Sequence, residues 1–184
     1  MTLKNQVLFS SEARKKLYSG LNIAAEAVIC TLGPNGKTVL IQNGDNPPIV
    51  TKDGVTVSKS IKLDDPVEMM GVRLLREAAS QTNDTAGDGT TTSTVLTQSL
   101  VKNGLNLLEA GYNPKKLCKG IDIAVDSLTQ DILSQSVKVQ TFTEISQVGT
   151  ISANGDKNIG DLIAAAMEKV GHDRSEEHTS ELQS

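Results

Sequence analysis

The residues best suited to chemistry form a glycine- and threonine-rich segment near the middle of the chain, Gly87-Asp88-Gly89-Thr90-Thr91-Thr92. A helix is predicted to begin at its threonines, and the first N–H groups of a helix have no acceptor within it. The helix dipole adds partial positive charge there, and the three hydroxyls supply further donors. Phosphate is the usual ligand of such a site, and Asp88 could hold Mg²⁺ beside it. The alternative is a glycine-rich loop with a threonine cap and no ligand.

A second segment, Thr31-Leu32-Gly33-Pro34-Asn35-Gly36-Lys37-Thr38, ends like a P-loop. The P-loop spacing requires glycine where Thr31 stands. A P-loop also follows a strand and opens a helix, whereas this segment follows a predicted helix and precedes a predicted strand. We therefore reject the P-loop interpretation. Gly33 still allows the backbone to approach a ligand closely, and a simple helix stop of glycine then proline is the alternative.

The third segment is Thr51-Lys52-Asp53-Gly54, which follows a predicted strand. Lys52 could pair with a phosphate as a point charge, and Asp53 could orient a water molecule or a metal ion. A surface turn with a local ion pair would explain the same residues. Cys30 and Cys118 form no disulfide framework and are interpreted as small packing residues.

The elements that must position these segments are predicted to be mostly α-helical, with one small β-hairpin. The first helix begins near Ser10 or Ser11 and ends before Gly33. Two β-branched runs, 38–41 and 49–51, are joined by the polar segment 43–48 and form the hairpin. Further helices are predicted over residues 66–83, 90–111, from 113 onward, 142–152 and 159–170. A short helix is also predicted over 55–61, where the Val and Thr content would permit a strand as the alternative.

Apolar residues at intervals of three and four define the predicted buried faces of these helices. In the first helix the face consists of Leu17, Leu21, Ala24 and Val28. In the helix over 66–83 it includes Val67, Gly71, Leu74, Ala78 and Thr82. In the helix that begins at 113 it consists of Leu117, Ile121, Ala124, Leu128 and Ile132.

Composition excludes several classes of function. The 184 residues are 2% aromatic, so platforms that stack nucleic-acid bases are not expected. The net charge of −4 gives no basic footprint for duplex DNA. No apolar run approaches the roughly 20 residues of a transmembrane helix, and no secretory signal is visible. These features predict a cytoplasmic protein that binds neither nucleic acid nor membrane.

The last eleven residues, Arg174–Ser184, differ from the rest of the chain. They carry no periodic apolar face, and they match the frame translation of a common sequencing adapter, so we interpret them as a disordered artefact. The alternative is a genuine acidic tail. Without this segment the chain has one Arg and three Glu fewer, the net charge is −2, and His172 is the sole imidazole. A catalytic triad built on histidine is then not expected.

Five motifs in this order resemble the group I chaperonins of the GroEL type. They are TLGPNGK at 31–37, TKDGVTV at 51–57, AGDGTTTSTVL at 86–96, GID at 120–122 and QVGTISANGD at 147–156. The resemblance runs from Phe9 to Asp173. Asn35, Met69 and Cys118 depart from the usual family residues, which indicates a divergent member.

The resemblance implies an ATP site with a Mg²⁺ ion. Asp88 would ligate the metal and Asp53 would assist at the γ-phosphate as an auxiliary catalytic residue. Ile151 and Ser152 would close over the nucleotide. The implied ATP contacts in the three segments are Thr31, Leu32, Gly33, Pro34, Lys52, Asp88, Gly89, Thr90, Thr91 and Thr92, and Asp88 is thus both a metal ligand and an ATP contact.

The resemblance also implies an incomplete, equatorial-domain-like helical bundle. Residues 1–136 would be the N-terminal part of the equatorial, ATP-binding domain, and residues 137–173 the start of the intermediate domain. The complete protein would be a homo-oligomeric double ring that folds non-native polypeptide under a co-chaperonin lid, using an apical domain absent from this chain. The principal catalytic aspartate would also be absent, so we expect little or no ATPase activity from the chain alone. We expect exposed apolar helix faces and poor solubility as well. The alternative is a stand-alone nucleotide-binding regulatory module without folding activity.

Overall fold

The computed structural model describes residues 10–33, 35–44, 46–153 and 155–170, and in these it contains seven α-helices and one two-stranded sheet. This confirms the predicted fold class. The tail from Arg174 and His172 lie outside the described residues, so the interpretation of the tail stays a prediction. The elements are α1 (Ser10–Ile29), β1 (Val39–Asn43), β2 (Asn46–Thr51), α2 (Gly54–Ser60), α3 (Pro66–Ala86), α4 (Thr90–Glu109), α5 (Pro114–Gln135), α6 (Phe142–Ser152) and α7 (Lys157–Val170).

Helix α1 packs against α3 and α4 and supplies much of the core. Three of its four predicted face residues, Leu21, Ala24 and Val28, are buried, and Ala25 joins them. The helix begins at Ser10, in agreement with the predicted start. The pattern of apolar residues therefore predicted the buried face of α1 correctly.

The α1–α3 crossing depends on two glycines. A Cβ on Gly20 would lie 1.8 Å from the carbonyl oxygen of Glu68, and one on Gly71 would lie 2.0 Å from that of Leu17. Both neighbouring oxygens belong to the backbone, so they cannot move away by a change of rotamer. The two helices can approach this closely only because neither residue has a side chain.

The N-terminal end of α3 is held by polar contacts with α1. Asp65 caps the helix by accepting hydrogen bonds from the N–H groups of Val67 and Glu68, and Pro66 follows at the first helical position. Lys16 Nζ donates to the Asp65 carboxylate at 2.5 Å. These contacts fix where α3 begins relative to α1.

The predicted buried face of α3 was partly wrong. The buried residues are Gly71, Val72 and Leu75, whereas Leu74 is 58% exposed. A helix turns by about 100° per residue, so Val72 and Leu75 lie on one side of Gly71 and Leu74 on the other. The close contact at Gly71 therefore determines which of two adjacent leucines is buried.

The loop between α3 and α4 is shorter than the sequence predicted. The polar residues 83–86 continue α3, and the helix ends only at Gly87, whose φ of 70° is left-handed. Polar side chains on an exposed surface are compatible with a helix, whereas a left-handed residue ends it. The connection consists of Gly87, Asp88 and Gly89.

The predicted β-hairpin is present with a shorter connection. Leu40 pairs with Val50 and Ile41 with Ile49, and the strands reach to Asn43 and Asn46. Residues 46–48, which were predicted to belong to the connection, lie in β2. A strand of a two-stranded sheet is always an edge strand, and such strands tolerate proline.

The chain divides into two compact units between Ile121 and Asp122, within α5. The predicted domain boundary at 136/137 is not tested by this division and stays a prediction. In the second unit, α6 begins with a capping box formed by Thr141 and Glu144, and it packs on α7. No helix in the described part of the chain is long and apolar enough to cross a membrane.

Candidate functional site

No side chain of the described residues caps the N-terminus of α4. Gly89, with a left-handed φ of 85°, occupies the capping position, and no side chain hydrogen-bonds to the helix there. The first N–H that bonds back within this turn belongs to Ser93, which donates to the Gly89 carbonyl at 2.8 Å. The N–H groups of Thr90, Thr91 and Thr92 therefore lie at the positive end of a 20-residue helix and are available to an anion.

Asp88 is exposed and lies directly before this helix end. One of its carboxylate oxygens accepts a hydrogen bond from the N–H of Gly89 at 2.6 Å. No cluster of three or more His, Cys, Asp or Glu side chains that could hold a metal ion is found among the described residues. A Mg²⁺ ion at this end would take one carboxylate from the protein, which suits a metal that is held by phosphates and water as well.

Asp53 caps α2, and both of its carboxylate oxygens accept hydrogen bonds from that helix. Its carboxylate accepts hydrogen bonds from the N–H groups of Val55 and Thr56, at 3.2 and 2.9 Å, and from the Thr56 hydroxyl at 2.6 Å. Partial burial by itself would raise the pKa of Asp53, but the hydrogen bonds from Thr56 and Val55 outweigh it and the pKa is lowered. Asp53 is therefore ionised at neutral pH, and Lys52 beside it is exposed.

Gly54 is the point at which the three segments meet. It is buried, and a Cβ placed on it would lie 2.7 Å from the hydroxyl of Thr91 and 3.7 Å from that of Thr31. The same Cβ would lie 3.0 Å from a methyl group of Val28 in α1. Segments separated by 20 to 60 positions in the sequence are thus brought together around one glycine. The sequence suggested a tight turn at Gly54 and missed this contact, because nothing local marks a residue that is packed from other elements.

The Thr31–Gly33 segment folds back on the end of α1. The Thr31 hydroxyl donates to the Val28 carbonyl at 2.7 Å, and Lys37 N–H donates to the Cys30 carbonyl at 2.7 Å. A Cβ on Gly36 would lie 2.1 Å from the Thr31 carbonyl oxygen, so the turn closes only with glycine there. Leu32 and Gly33 are exposed, and Pro34 lies outside the described residues.

A cavity of about 280 Å³ adjoins the meeting point, between α2, α3 and α4. Gly54 and Thr90 line the cavity, and both belong to the segments that meet at Gly54. Arg76 and Glu77 of α3 contribute charged groups to the cavity wall. The two remaining predicted ATP contacts, Ile151 and Ser152, are exposed at the end of α6 in the second unit. Their role stays a prediction.

The two cysteines carry no chemistry in this arrangement. Cys30 is half-buried at the end of α1, and its thiol lies 3.1 Å from the Ala27 carbonyl. Cys118 is exposed on α5, so its interpretation as a packing residue was wrong. Both are free thiols, as the sequence indicated.

Comparison with known proteins gives one family and a consistent fold. The profile of the TCP-1/cpn60 chaperonin family matches residues 24–183. The chaperonin gp146 from the bacteriophage EL 2 (Pseudomonas aeruginosa), solved in the presence of ATP-BeFx, is 31% identical with a TM-score of 0.70. That alignment covers 84% of this chain and 27% of gp146. The matched range of the family profile runs into the tail that we attribute to an adapter, and that attribution stays a prediction.

A second similar structure supports the fold alone. A group III chaperonin in the open state is 24% identical with a TM-score of 0.75, and the alignment covers 88% of this chain and 32% of that one. The chain therefore spans less than a third of the length of either chaperonin.

Proposed function

Since the chain belongs to the TCP-1/cpn60 chaperonin family, we propose that the three segments around Gly54 bind MgATP as part of an ATP-dependent chaperonin that folds non-native polypeptides. The observation that carries this proposal is the convergence of Thr31, Gly54 and Thr91 beside an uncapped helix end. We further propose the group I, GroEL type, on the five motifs of the sequence. The double ring, the co-chaperonin and the polypeptide substrate are proposed for the complete protein on the same ground.

The N-terminus of α4 would bind the phosphates. Its free N–H groups donate hydrogen bonds to phosphate oxygens, and the hydroxyls of Thr90, Thr91 and Thr92 add donors on the same turn. Hydrogen bonds between such donors and an ionised oxygen are stronger than neutral ones. Gly89 leaves the approach open, because it adds no side chain at the helix end.

Asp88 would hold the Mg²⁺ ion, which neutralises phosphate charge when bound. Its carboxylate is exposed and needs only to release one hydrogen bond, from the N–H of Gly89. Lys52 would supply a positive charge that pairs with phosphate. Asp53, kept ionised by its hydrogen bonds, would orient water near the γ-phosphate.

The proposal is tested by calorimetric titration of the chain with MgATP. Thr91→Ala removes a hydroxyl at the meeting point, and we expect it to weaken binding by about tenfold or more. Asp88→Asn should weaken binding further in the presence of Mg²⁺ and less in its absence. The matched controls are Thr129→Ala and Asp126→Asn, because both residues are exposed on α5.

The proposal fails if the wild-type chain does not bind MgATP, or if the α5 controls weaken binding as much as the α4 variants do. Steady ATP hydrolysis by residues 1–173, abolished by Asp53→Ala, would contradict the expectation that this chain alone has little ATPase activity. Binding without any effect on refolding of a denatured client by the complete protein would favour the nucleotide-binding module instead.

A further inference from the structure

Arg76, in the middle of α3, binds the far end of α2. Its Nε donates to the carbonyl oxygen of Ser58 at 2.8 Å, and its Nη2 donates to those of Ile61 and Lys59 at 2.6 and 3.3 Å. These carbonyls belong to the last turn of α2 and the residue after it, where a helix leaves acceptors without partners of its own. That of Ser58 also accepts from the N–H of Ile61 at 3.3 Å. One guanidinium thus satisfies three backbone acceptors of another element.

Helix α2 depends on such outside contacts. It has seven residues, which is about two turns, and helices this short are not stable by themselves. Its first residue is Gly54, and the Asp53 carboxylate caps it. The position of the Lys52–Gly54 segment is therefore set by whatever holds α2 in place.

Helix α3 connects Arg76 to the other side of the site. From Arg76 the helix continues without interruption to Ala86, and Gly87 then leads into Asp88 and α4. The Arg76 side chain therefore ties the element that carries Asp53 and Gly54 to the element that carries Asp88. No other side chain in the described residues donates from α3 to the backbone of α2.

We propose that Arg76 is a positioning residue of the nucleotide site, which holds α2 so that Gly54 and Asp53 keep their places beside Thr91. This inference rests on the proposed function for its effect on nucleotide binding. Arginine suits the role because its planar fork reaches several acceptors, whereas a lysine ammonium on a flexible stem would reach fewer of them in fixed geometry. Its positive charge also favours the carbonyl end of a helix.

The test compares Arg76→Met, Arg76→Lys and the matched control Arg73→Met, whose residue is exposed one turn earlier on the same helix. Two quantities are measured: the MgATP dissociation constant and, by NMR titration of the folded chain, the pKa values of Asp53 and Asp65. We expect Arg76→Met to weaken MgATP binding by about tenfold and to raise the pKa of Asp53 toward its ordinary value. Arg76→Lys should show smaller changes in both the dissociation constant and the pKa of Asp53. Arg73→Met should leave both quantities unchanged.

Asp65 is the internal control, because it caps α3 and is held by Lys16 and not by Arg76. A general loss of structure in Arg76→Met would raise the pKa of both carboxyls, and that result would overturn the proposal. An unchanged pKa of Asp53 in Arg76→Met would overturn it as well. If the wild-type chain binds no MgATP, the proposed function fails, but a selective rise in the pKa of Asp53 would still establish that Arg76 positions α2.

Discussion

Helices α1 and α5 both repeat apolar residues at intervals of three and four, but they differ completely in burial. In α1, Leu21 and Val28 are 4% and 1% exposed. In α5, Leu128 and Ile132 are 59% and 67% exposed, and the helix buries no residue. An amphipathic pattern therefore defines a face, but it does not determine whether this chain supplies the partner for that face.

The two helices also differ in how closely another part of the chain approaches their backbones. Gly20 of α1 lies against the backbone of α3, and Gly71 of α3 lies against the backbone of α1. Gly120 of α5 has no atom within 4 Å of the position that a Cβ would occupy. Glycines in the two helices thus have opposite roles. Those of the α1–α3 crossing permit close packing, whereas the one in α5 adds only backbone freedom.

The largest expected effect comes from a substitution that prevents the close approach of α1 and α3. Gly71→Ala would place a methyl group 2.0 Å from a backbone oxygen, so the helices must separate. We expect the free energy of unfolding to fall by about 4 kcal/mol or more, measured by urea denaturation.

Gly120→Ala is the matched substitution in α5. Alanine has the higher helix propensity and meets no neighbour, so we expect a gain of about 0.5–1 kcal/mol. Loss of stability in both variants to the same degree would show that the crossing is not what distinguishes the two helices.

An intermediate effect is expected from truncating leucines in the two regions. Leu75 is 1% exposed in the core of α3, and Leu75→Ala should lower the free energy of unfolding by about 3 kcal/mol. Leu128→Ala in α5 should change it by no more than about 0.5 kcal/mol, because the side chain is already exposed.

Leu74→Ala, on the same helix as Leu75, is the control for helix propensity. Since Leu74 is 58% exposed, it should behave like Leu128 and not like Leu75. A cost for Leu74→Ala equal to that of Leu75→Ala would contradict the assigned orientation of α3. Thermal or urea denaturation of the three variants at one protein concentration decides the matter.

The smallest expected effect concerns the dependence of the melting temperature on pH. The hydrogen bond from Lys16 and that from the Val67 N–H hold the pKa of Asp65 below its ordinary value of 3.8. A carboxyl whose pKa is lowered by folding stabilises the protein above its unfolded pKa, and this contribution is lost as the pH falls through the folded pKa. We therefore expect the melting temperature to fall as the pH drops below about 4, with a shallower dependence in Asp65→Asn.

The cap of α5 supplies the comparison, because Asn113 accepts hydrogen bonds from the N–H groups of Lys115 and Lys116 and does not titrate. Asn113→Ala should leave the acid dependence of the melting temperature unchanged. An acid dependence that is the same in wild type and Asp65→Asn would show that the Lys16–Asp65 contact makes no contribution of this kind.

Much of the fold was predictable because its signals are local. Proline after Asp65 marks the start of α3, and this start was predicted correctly. The end of α3 at Gly87 was not, because the predicted helix stopped at residue 83. The apolar face of α1 was predicted, as were the short helix α2 and the hairpin. The errors occurred at the C-terminal end of α3, in the hairpin connection at residues 46–48, and in the buried faces that were assigned to α3 and α5.

The candidate site was predictable in its parts, and the family resemblance implied that the three segments form one site, but the packing that brings them together was not predictable. The start of a helix at the threonines after Gly89 follows from the sequence, because helix geometry is local. The sequence left a threonine cap open, and the structure has Gly89 at the capping position. That Gly54 touches Thr91 and Thr31 depends on the packing of three helices, as does the reach of Arg76 to the end of α2. The expected poor solubility of the chain stays a prediction, and the exposed face of α5 is the feature that supports it.

The sequence by itself determined the helices, the hairpin, the chemistry of the three segments and the resemblance to a family, because these depend on residue type and short-range spacing. Only the tertiary structure decided which faces are buried and how the segments pack. The backbones of α1 and α3 approach closely only because Gly20 and Gly71 lack side chains, and the side chains of Thr91 and Val28 pack at Gly54 for the same reason. The effect of a missing side chain depends on the atoms that surround it, and those come from distant parts of the chain.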